Sequence, residues 1–181
     1  MATRKPPSPE QALSAANLEK LALSYLNRFD TSVVNLRKVL SRQLRRHQRE
    51  ASPELLELAA QHIEGLLQRY AQSGVLDDRR YASTIAWSLR ERGASSRAIE
   101  HKLSVRGVSS DDIREAIHAA DRDQVQDAEL AAARRFTRRR RLGPHRSAAE
   151  RKAKRDRDLG ALARAGFSLD VARRVLEEEP E

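Results

Sequence analysis

Apolar residues recur at helical spacing along nearly the whole chain. Leu18, Leu21, Ala22, Tyr25, Leu26 and Phe29 share one face of a first predicted helix. Asp30, Thr31 and Ser32 interrupt it, and Ser32 is placed to cap a second helix whose apolar side is Val33, Leu36, Leu40 and Leu44. Ser52 followed by Pro53 is a helix start, because proline at the first turn gives up an N–H that has no partner there anyway. Leu55, Ala59, Ile63, Leu66, Leu67 and Tyr70 make its stripe, and Gly74 ends it. Asp77 caps a helix carrying Tyr81, Ala82, Ile85, Ala86 and Leu89, which stops at Gly93.

Ser95 or Ser96 opens a short helix with Ile99 and Leu103, ended by Gly107. Ser109, with Asp112 three residues on as a capping box, opens another with Ile113, Ala116, Ile117 and Ala120 inward. A longer helix places Val125, Ala128, Ala132 and Phe136 inward and runs out in Arg138 to Arg141 before Gly143 and Pro144. A basic helix from about Ser147 to Ala163, a turn at Gly166 and a last helix with Val171, Ala172, Val175 and Leu176 complete the chain. No segment alternates with the period of two that a strand requires.

The pattern repeats. In 103–109 and again in 162–168 a helix ends at glycine, a hydrophobic residue follows, and serine caps the next helix. A looser copy spans 32–63, without the glycine. The expected fold class is therefore all-α, with three tandem three-helix repeats forming an elongated body, because such units bury their faces on neighbours. The expected segments are a disordered N-terminal tail over 1–16, where Pro6, Pro7 and Pro9 cluster, then repeats at 17–72, 73–121 and 122–181.

Composition narrows this picture. Aromatic residues make up 4% of the 181 and glycines number seven, so the core is one of Leu and Ala in thin layers. The absence of cysteine excludes disulfides and thiolate metal sites. No apolar run suits a leader or a membrane span, so the expectation is a protein of the cytoplasm with no membrane association. The net charge of +9 is unevenly placed. Between Arg134 and Arg157 stand twelve Arg or Lys against two acids, while 1–133 carry about +2 and 158–181 about −3. Such a basic segment points to a polyanion or an acidic protein surface.

The candidate contact residues are Arg134, Arg135, Arg138, Arg139, Arg140 and Arg141, with Arg42, Arg45, Arg46 and Arg49 as a second patch. Guanidinium forks suit phosphates and carboxylates alike. The competing possibilities are a solvated arginine face, or neutralisation by acids of a neighbouring repeat.

Chemistry of other kinds finds no support. The five histidines make no HExxH pair, so no metal is expected, and neither GxxxxGK[ST] nor GxGxxG occurs. The adjacent acids at Asp77, Asp78 and at Asp111, Asp112 sit at helix starts, where they cap amides and complement the dipole. Trp87 falls off its helix's apolar stripe and reads as a packing residue between repeats.

The stretch Gly74, Val75, Leu76, Asp77, Asp78, Arg79, Arg80, Tyr81, Ala82 resembles the hallmark of the RecX family, glycine, two hydrophobics, Asp or Asn, Asp, two variable positions, an aromatic and alanine. Arg92 and Gly93, then Ile99, Leu103, Gly107, Val108, Ile113 and Ile117, follow in the family's order. Tyr25, Leu26 and 32–40 resemble its first repeat, and Gly166 with Phe167 its last, so the resemblance covers about 18–178. Gly74, Asp77, Asp78, Tyr81, Gly93, Gly107 and Gly166 enter as structural motif residues. Two departures stand out: the first repeat lacks the glycine after its second helix, and the third is unusually rich in arginine around 138–144.

The resemblance implies three three-helix repeats, no catalytic activity, no cofactor, and the RecA protein filament as partner. It implies binding within or at the end of the RecA–DNA filament, which limits extension and lowers strand exchange and ATP hydrolysis. Single-stranded DNA would be an auxiliary contact of a monomer. The second reading is a helical protein acting directly on nucleic acid. Too few exposed aromatics are expected for a base-stacking binder, and no recognition-helix motif is evident.

Overall fold

A computed structural model describes residues 7–122 and 127–179. Among these residues the regular elements are helical: α1 (Pro9–Ala12), α2 (Ala15–Leu26), α3 (Val33–His47), α4 (Pro53–Gln72), α5 (Asp78–Glu91), α6 (Ser96–Val105), α7 (Ser110–Ala120), α8 (Ala128–Arg140), α9 (Ala148–Arg164) and α10 (Leu169–Glu177), with one 3-10 turn at Gly143–His145. The fold is all-α, a set of helical repeats in groups of three. No helix among the described residues is long and apolar enough to cross a membrane. The chain divides into two compact units, Met1–Tyr81 and Ala82–Glu181.

Short polar side chains start these helices. Ser14, Ser32, Ser52, Ser95, Ser109, Ser147 and Ser168 each accept a hydrogen bond from the backbone N–H three residues on. The cap of α6 is thus Ser95, not Ser96. Asp77 does the same for α5, accepting from the Arg80 N–H at 2.9 Å. Its neighbour Asp78 acts elsewhere, its carboxylate accepting from the Val33 N–H at 2.8 Å, at the first turn of α3. An acid of the hallmark stretch therefore satisfies an orphan donor of another helix, 45 residues away.

The same stop closes α6 and α9. Gly107 and Gly166 lie at φ +79° and +93°. The N–H of the following Val108 or Phe167 donates back to Leu103 or Leu162 at 3.2 Å, and that side chain is buried.

In the first unit, Leu18, Ala22, Leu36, Leu40, Ala59, Ile63, Leu66, Leu67, Tyr70 and Leu76 form one core. Its N-terminal edge corrects the expected tail of 1–16 over residues 8–16, while 1–6 lie outside the described residues. Ser8 and Gln11 form a capping box around Pro9, which stands at the first turn of α1, and the Asn17 Nδ2 donates to the Ala12 carbonyl at 2.7 Å. Ala12 and Leu13 are buried on the core. The proline cluster read as disorder contains a helix start. Phe29, expected on the apolar face of the first helix, lies beyond its end and is 48% exposed.

In the second unit, Ile99, Leu103, Val108, Ile113 and Ala116 are buried around α6 and α7, and Leu130, Ala132, Ala133, Phe136, Leu142, Leu162, Phe167, Val171, Ala172, Val175 and Leu176 form the core of α8 to α10. The inward face of α8 is rotated from expectation. Leu130, Ala133 and Thr137 are buried with Ala132 and Phe136, Ala128 is half-buried, and Val125 lies outside the described residues.

Candidate functional site

The basic segment begins on α8. Asp127 caps this helix, accepting from the Leu130 N–H at 3.0 Å, so its axis and its rotation are fixed by a cap and a buried stripe together. Arginines therefore leave it in several directions. Arg134 is tied down by the Glu178 carboxylate, with Nε and Nη2 at 2.9 and 2.7 Å. Arg135 places Nη2 3.7 Å from Glu91 on α5. Arg138 lines a depression with Arg134, Thr137, Pro144, His145 and Glu178. The Arg140 guanidinium lies 5.1 Å from the Phe136 ring centroid. Among the described residues Arg139, Arg140 and Arg141 have no carboxylate within ion-pair distance, and all three are exposed. The six arginines thus form one segment in two electrostatic settings. Two are neutralised by acids, and the end of the helix carries unbalanced charge.

Arg141 is the residue that terminates α8, at φ +53°. Its N–H reaches the Arg138 carbonyl at 3.2 Å and the next N–H, of Leu142, reaches Thr137 at 2.9 Å. This is the stop that glycine makes after α6 and α9, made here by an arginine. An L-residue in that conformation costs roughly 1 kcal/mol. The chain keeps a cation where glycine would fit better.

Beyond the 3-10 turn, Asp158 is 1% exposed. Its Oδ2 accepts from the Gly143 N–H at 2.9 Å and from Arg146 Nε at 2.7 Å, and its Oδ1 from Arg146 Nη2 at 2.9 Å. Burial pushes this carboxyl up, but the Arg146 guanidinium and the Gly143 N–H outweigh it and hold it below the usual carboxylate range. A depressed pKa contributes stability that is present above the unfolded value, about 3.9, and is lost as pH falls through the folded value. Asp158→Asn should therefore cost about 1–2 kcal/mol at neutral pH. The gap to the wild type should close as pH drops below about 4. Thermal melts by circular dichroism from pH 7 to 3 check this, and a gap that stays constant across the range would refute it.

On α9, Arg151, Lys152 and Arg155 rim an open depression floored by Ala148 and Leu176, with Arg155 held to Glu177 at 2.9 Å. They extend the basic surface of the second unit.

The second sequence patch lies in the first unit. Arg42, Arg45 and Arg46 are exposed on α3 and Arg49 just after it, without carboxylate partners among the described residues. Arg45 and Arg46 stand in the last turn, where cations complement the helix dipole. On the same helix Arg37 is neutralised by Glu64 through two bonds of 2.6 and 2.7 Å.

Among the motif residues, Asp77, Asp78, Gly107 and Gly166 are the cap, cross-helix acceptor and stops described above, Gly74 and Gly93 lie at φ +73° and +77°, and Tyr81 is buried. One expectation is corrected. Trp87 is not a packing residue: it is 61% exposed. Its helix turns Ala82, Ala86 and Arg90 inward, and Trp87 falls about 100° away from Ala86. Arg90 and Asp158 are two buried charges that sequence reasoning missed. A fully buried arginine breaks the compositional rule that such residues are wet.

Comparison with known proteins places these features. Residues 77–117 match the family model described as RecX, second three-helix domain. The regulatory protein RecX of Myxococcus xanthus is 36% identical over 96% of this chain and 91% of its own length. That of Thermobifida fusca is 33% identical over 69% of this chain and 65% of its own. A crystal structure of a regulatory protein RecX matches with a TM-score of 0.56 at 17% identity, covering 98% of this chain and 82% of that one, a likeness of fold.

Proposed function

Because the chain belongs to the RecX family of regulatory proteins, we propose that it binds the RecA–DNA filament, limits its extension and lowers RecA's strand exchange and ATP hydrolysis, without catalysing a reaction itself. The observation that supports this reading is the end of α8. Arg139, Arg140 and Arg141 are exposed, lack carboxylate partners among the described residues, and finish a helix at a position better suited to glycine. Arg139 stands one turn from Arg135, and like charges at that spacing destabilise a free helix. A partner rich in carboxylates or phosphates removes that repulsion, and a filament of protein on DNA offers both. Arginine forks engage either group through paired N–H donors. Single-stranded DNA is the auxiliary contact, and the protein acts as a monomer.

The test is RecA's ATPase on single-stranded DNA, titrated with this protein. Sub-stoichiometric amounts should lower the rate. Unchanged hydrolysis at equimolar protein, with the fold verified by circular dichroism, would remove the reading. A variant carrying Ser at 138, 139, 140 and 141 should inhibit more weakly. If those four arginines meet phosphates, the log–log salt dependence of single-strand affinity should have a slope near −3, from about −0.7 per contact. The variant should flatten it. Inhibition that survives intact in the variant would place the RecA contact elsewhere.

A further inference from the structure

We infer that Trp87 and the adjoining face of α8 form a stacking platform for single-stranded nucleic acid, with the ring taking a base and Arg135 and Arg139 the flanking phosphates. This deepens the auxiliary nucleic-acid contact proposed above and rests on that reading. Trp87 is the chain's one tryptophan and, at 61%, more exposed than Val105 at 57% or Leu169 at 49%. A large ring left in water forgoes roughly 2 kcal/mol or more of burial. One exposed hydrophobe is ordinary in itself. Its surroundings give it meaning.

Glu91 lies one turn further along α5 on the same side, and its carboxylate is 3.7 Å from Arg135 Nη2. The turn after α5 is pressed onto α8: a Cβ on Gly93 would lie 2.6 Å from the Phe136 nitrogen and 2.8 Å from the Ala132 carbonyl oxygen. Glu91, one turn from Trp87, therefore ties this flank of α5 to Arg135 on α8, and Arg139 is exposed one turn further along α8. A π-face beside guanidinium groups is the combination that holds single strands, because every base stacks and every phosphate attracts a cation.

A protein partner of acidic character would use the arginines equally well. It would also require a contiguous apolar centre. Around Trp87 its own helix offers Ser83, Thr84, Ser88 and Glu91 instead. A ring flanked on its own helix by hydroxyls, with Arg135 reached through Glu91, fits a base better than a hydrophobic interface. Glu91 is the one unfavourable group, and it moderates Arg135.

Trp87 is its own reporter. The full chain is titrated with a dye-labelled oligodeoxythymidylate at low salt, following tryptophan emission and dye anisotropy together. Emission should be quenched in step with binding. Trp87→Ala should weaken binding about tenfold, in line with the loss of one stacked base. Trp87→Phe should retain most of the affinity, and Glu91→Gln should raise it. Equal binding by wild type and Trp87→Ala, with unchanged emission, overturns the platform and leaves the arginine contact standing. Emission that responds to RecA without nucleic acid, and not to the oligonucleotide, makes Trp87 a protein contact and overturns it too. No oligonucleotide binding at all also overturns it, while the ATPase titration judges the RecA reading separately.

Discussion

Gly93→Ala should destabilise the second unit by about 2–5 kcal/mol, a large part of what holds a domain together. Two costs add. Gly93 sits at φ +77°, where an L side chain crowds its own carbonyl for about 1–2 kcal/mol. The new Cβ would also stand 2.6 Å from the Phe136 nitrogen, 2.8 Å from the Ala132 oxygen and 3.0 Å from the Arg135 carbonyl carbon. These are backbone atoms in the middle of a helix. They cannot swing aside as a side-chain tip would, so α8 must shift as a body, and overpacking of that kind typically costs about 1–3 kcal/mol. Gly74→Ala is the control. Its φ is +73°, nearly the same, but nothing lies within 4 Å of the added Cβ. It should lose only the backbone cost of about 1–2 kcal/mol. Urea midpoints with unchanged slopes separate the two. Equal losses in both variants would show that the close approach of α5's end to α8 is not maintained in solution. Gly93→Ala should also weaken the contact assigned to Trp87 and Arg135, since their spacing is set there.

The fold is legible in the sequence because its signals are local. Ser32, Ser52, Ser109 and Ser168 each stand next to an apolar stripe, and a cap and a period of 3.6 need no knowledge of the rest of the chain. The repeated turn at Gly107 and Gly166 is readable for the same reason. What escapes depends on residues distant in sequence. Asp78 looks like a second cap for α5 until Val33 is seen against it. Arg134 and Arg135 look like part of an unbroken cationic run, and only the folded chain brings Glu178 and Glu91 to them. Trp87 misleads because the frequency with which tryptophan is buried outweighs its position off the stripe, although that position is the correct signal. Pro9 misleads in the opposite way: proline marks disorder and helix starts alike, and Ser8 before it, with Gln11 behind, is the distinguishing clue.

Arg90→Ala should cost the second unit about 3–4 kcal/mol, from a residue that composition would assign to the surface. Arg90 is 2% exposed, and every N–H of its guanidinium is used. Nε and Nη2 bind the two oxygens of Asp121 at 2.7 and 2.9 Å. Nη1 donates to Glu129 at 2.9 Å and to the Ala94 carbonyl at 2.9 Å, and Nη2 donates to Ser96 Oγ at 2.7 Å. One side chain of α5 thereby joins the end of α7, the start of α6 and the first turn of α8. Removing it leaves two carboxylates without their shared cation, plus a void. The acids keep some solvent, with side chains 23% and 27% exposed, which holds the loss toward the lower end for a broken buried pair. Arg90→Lys should recover only part of the stability, because an ammonium cannot span Asp121, Glu129, Ala94 and Ser96 at once. Adding Asp121→Asn to Arg90→Ala should restore part of the loss, since it removes one of the unpaired charges, and that non-additivity is the signature of direct coupling. Arg92→Ala, at an exposed position two residues on, should change stability by about 0.5 kcal/mol or less. Urea midpoints of the four variants decide the matter. Arg90→Ala no worse than Arg92→Ala would mean that the buried guanidinium is not what ties α5 to α8.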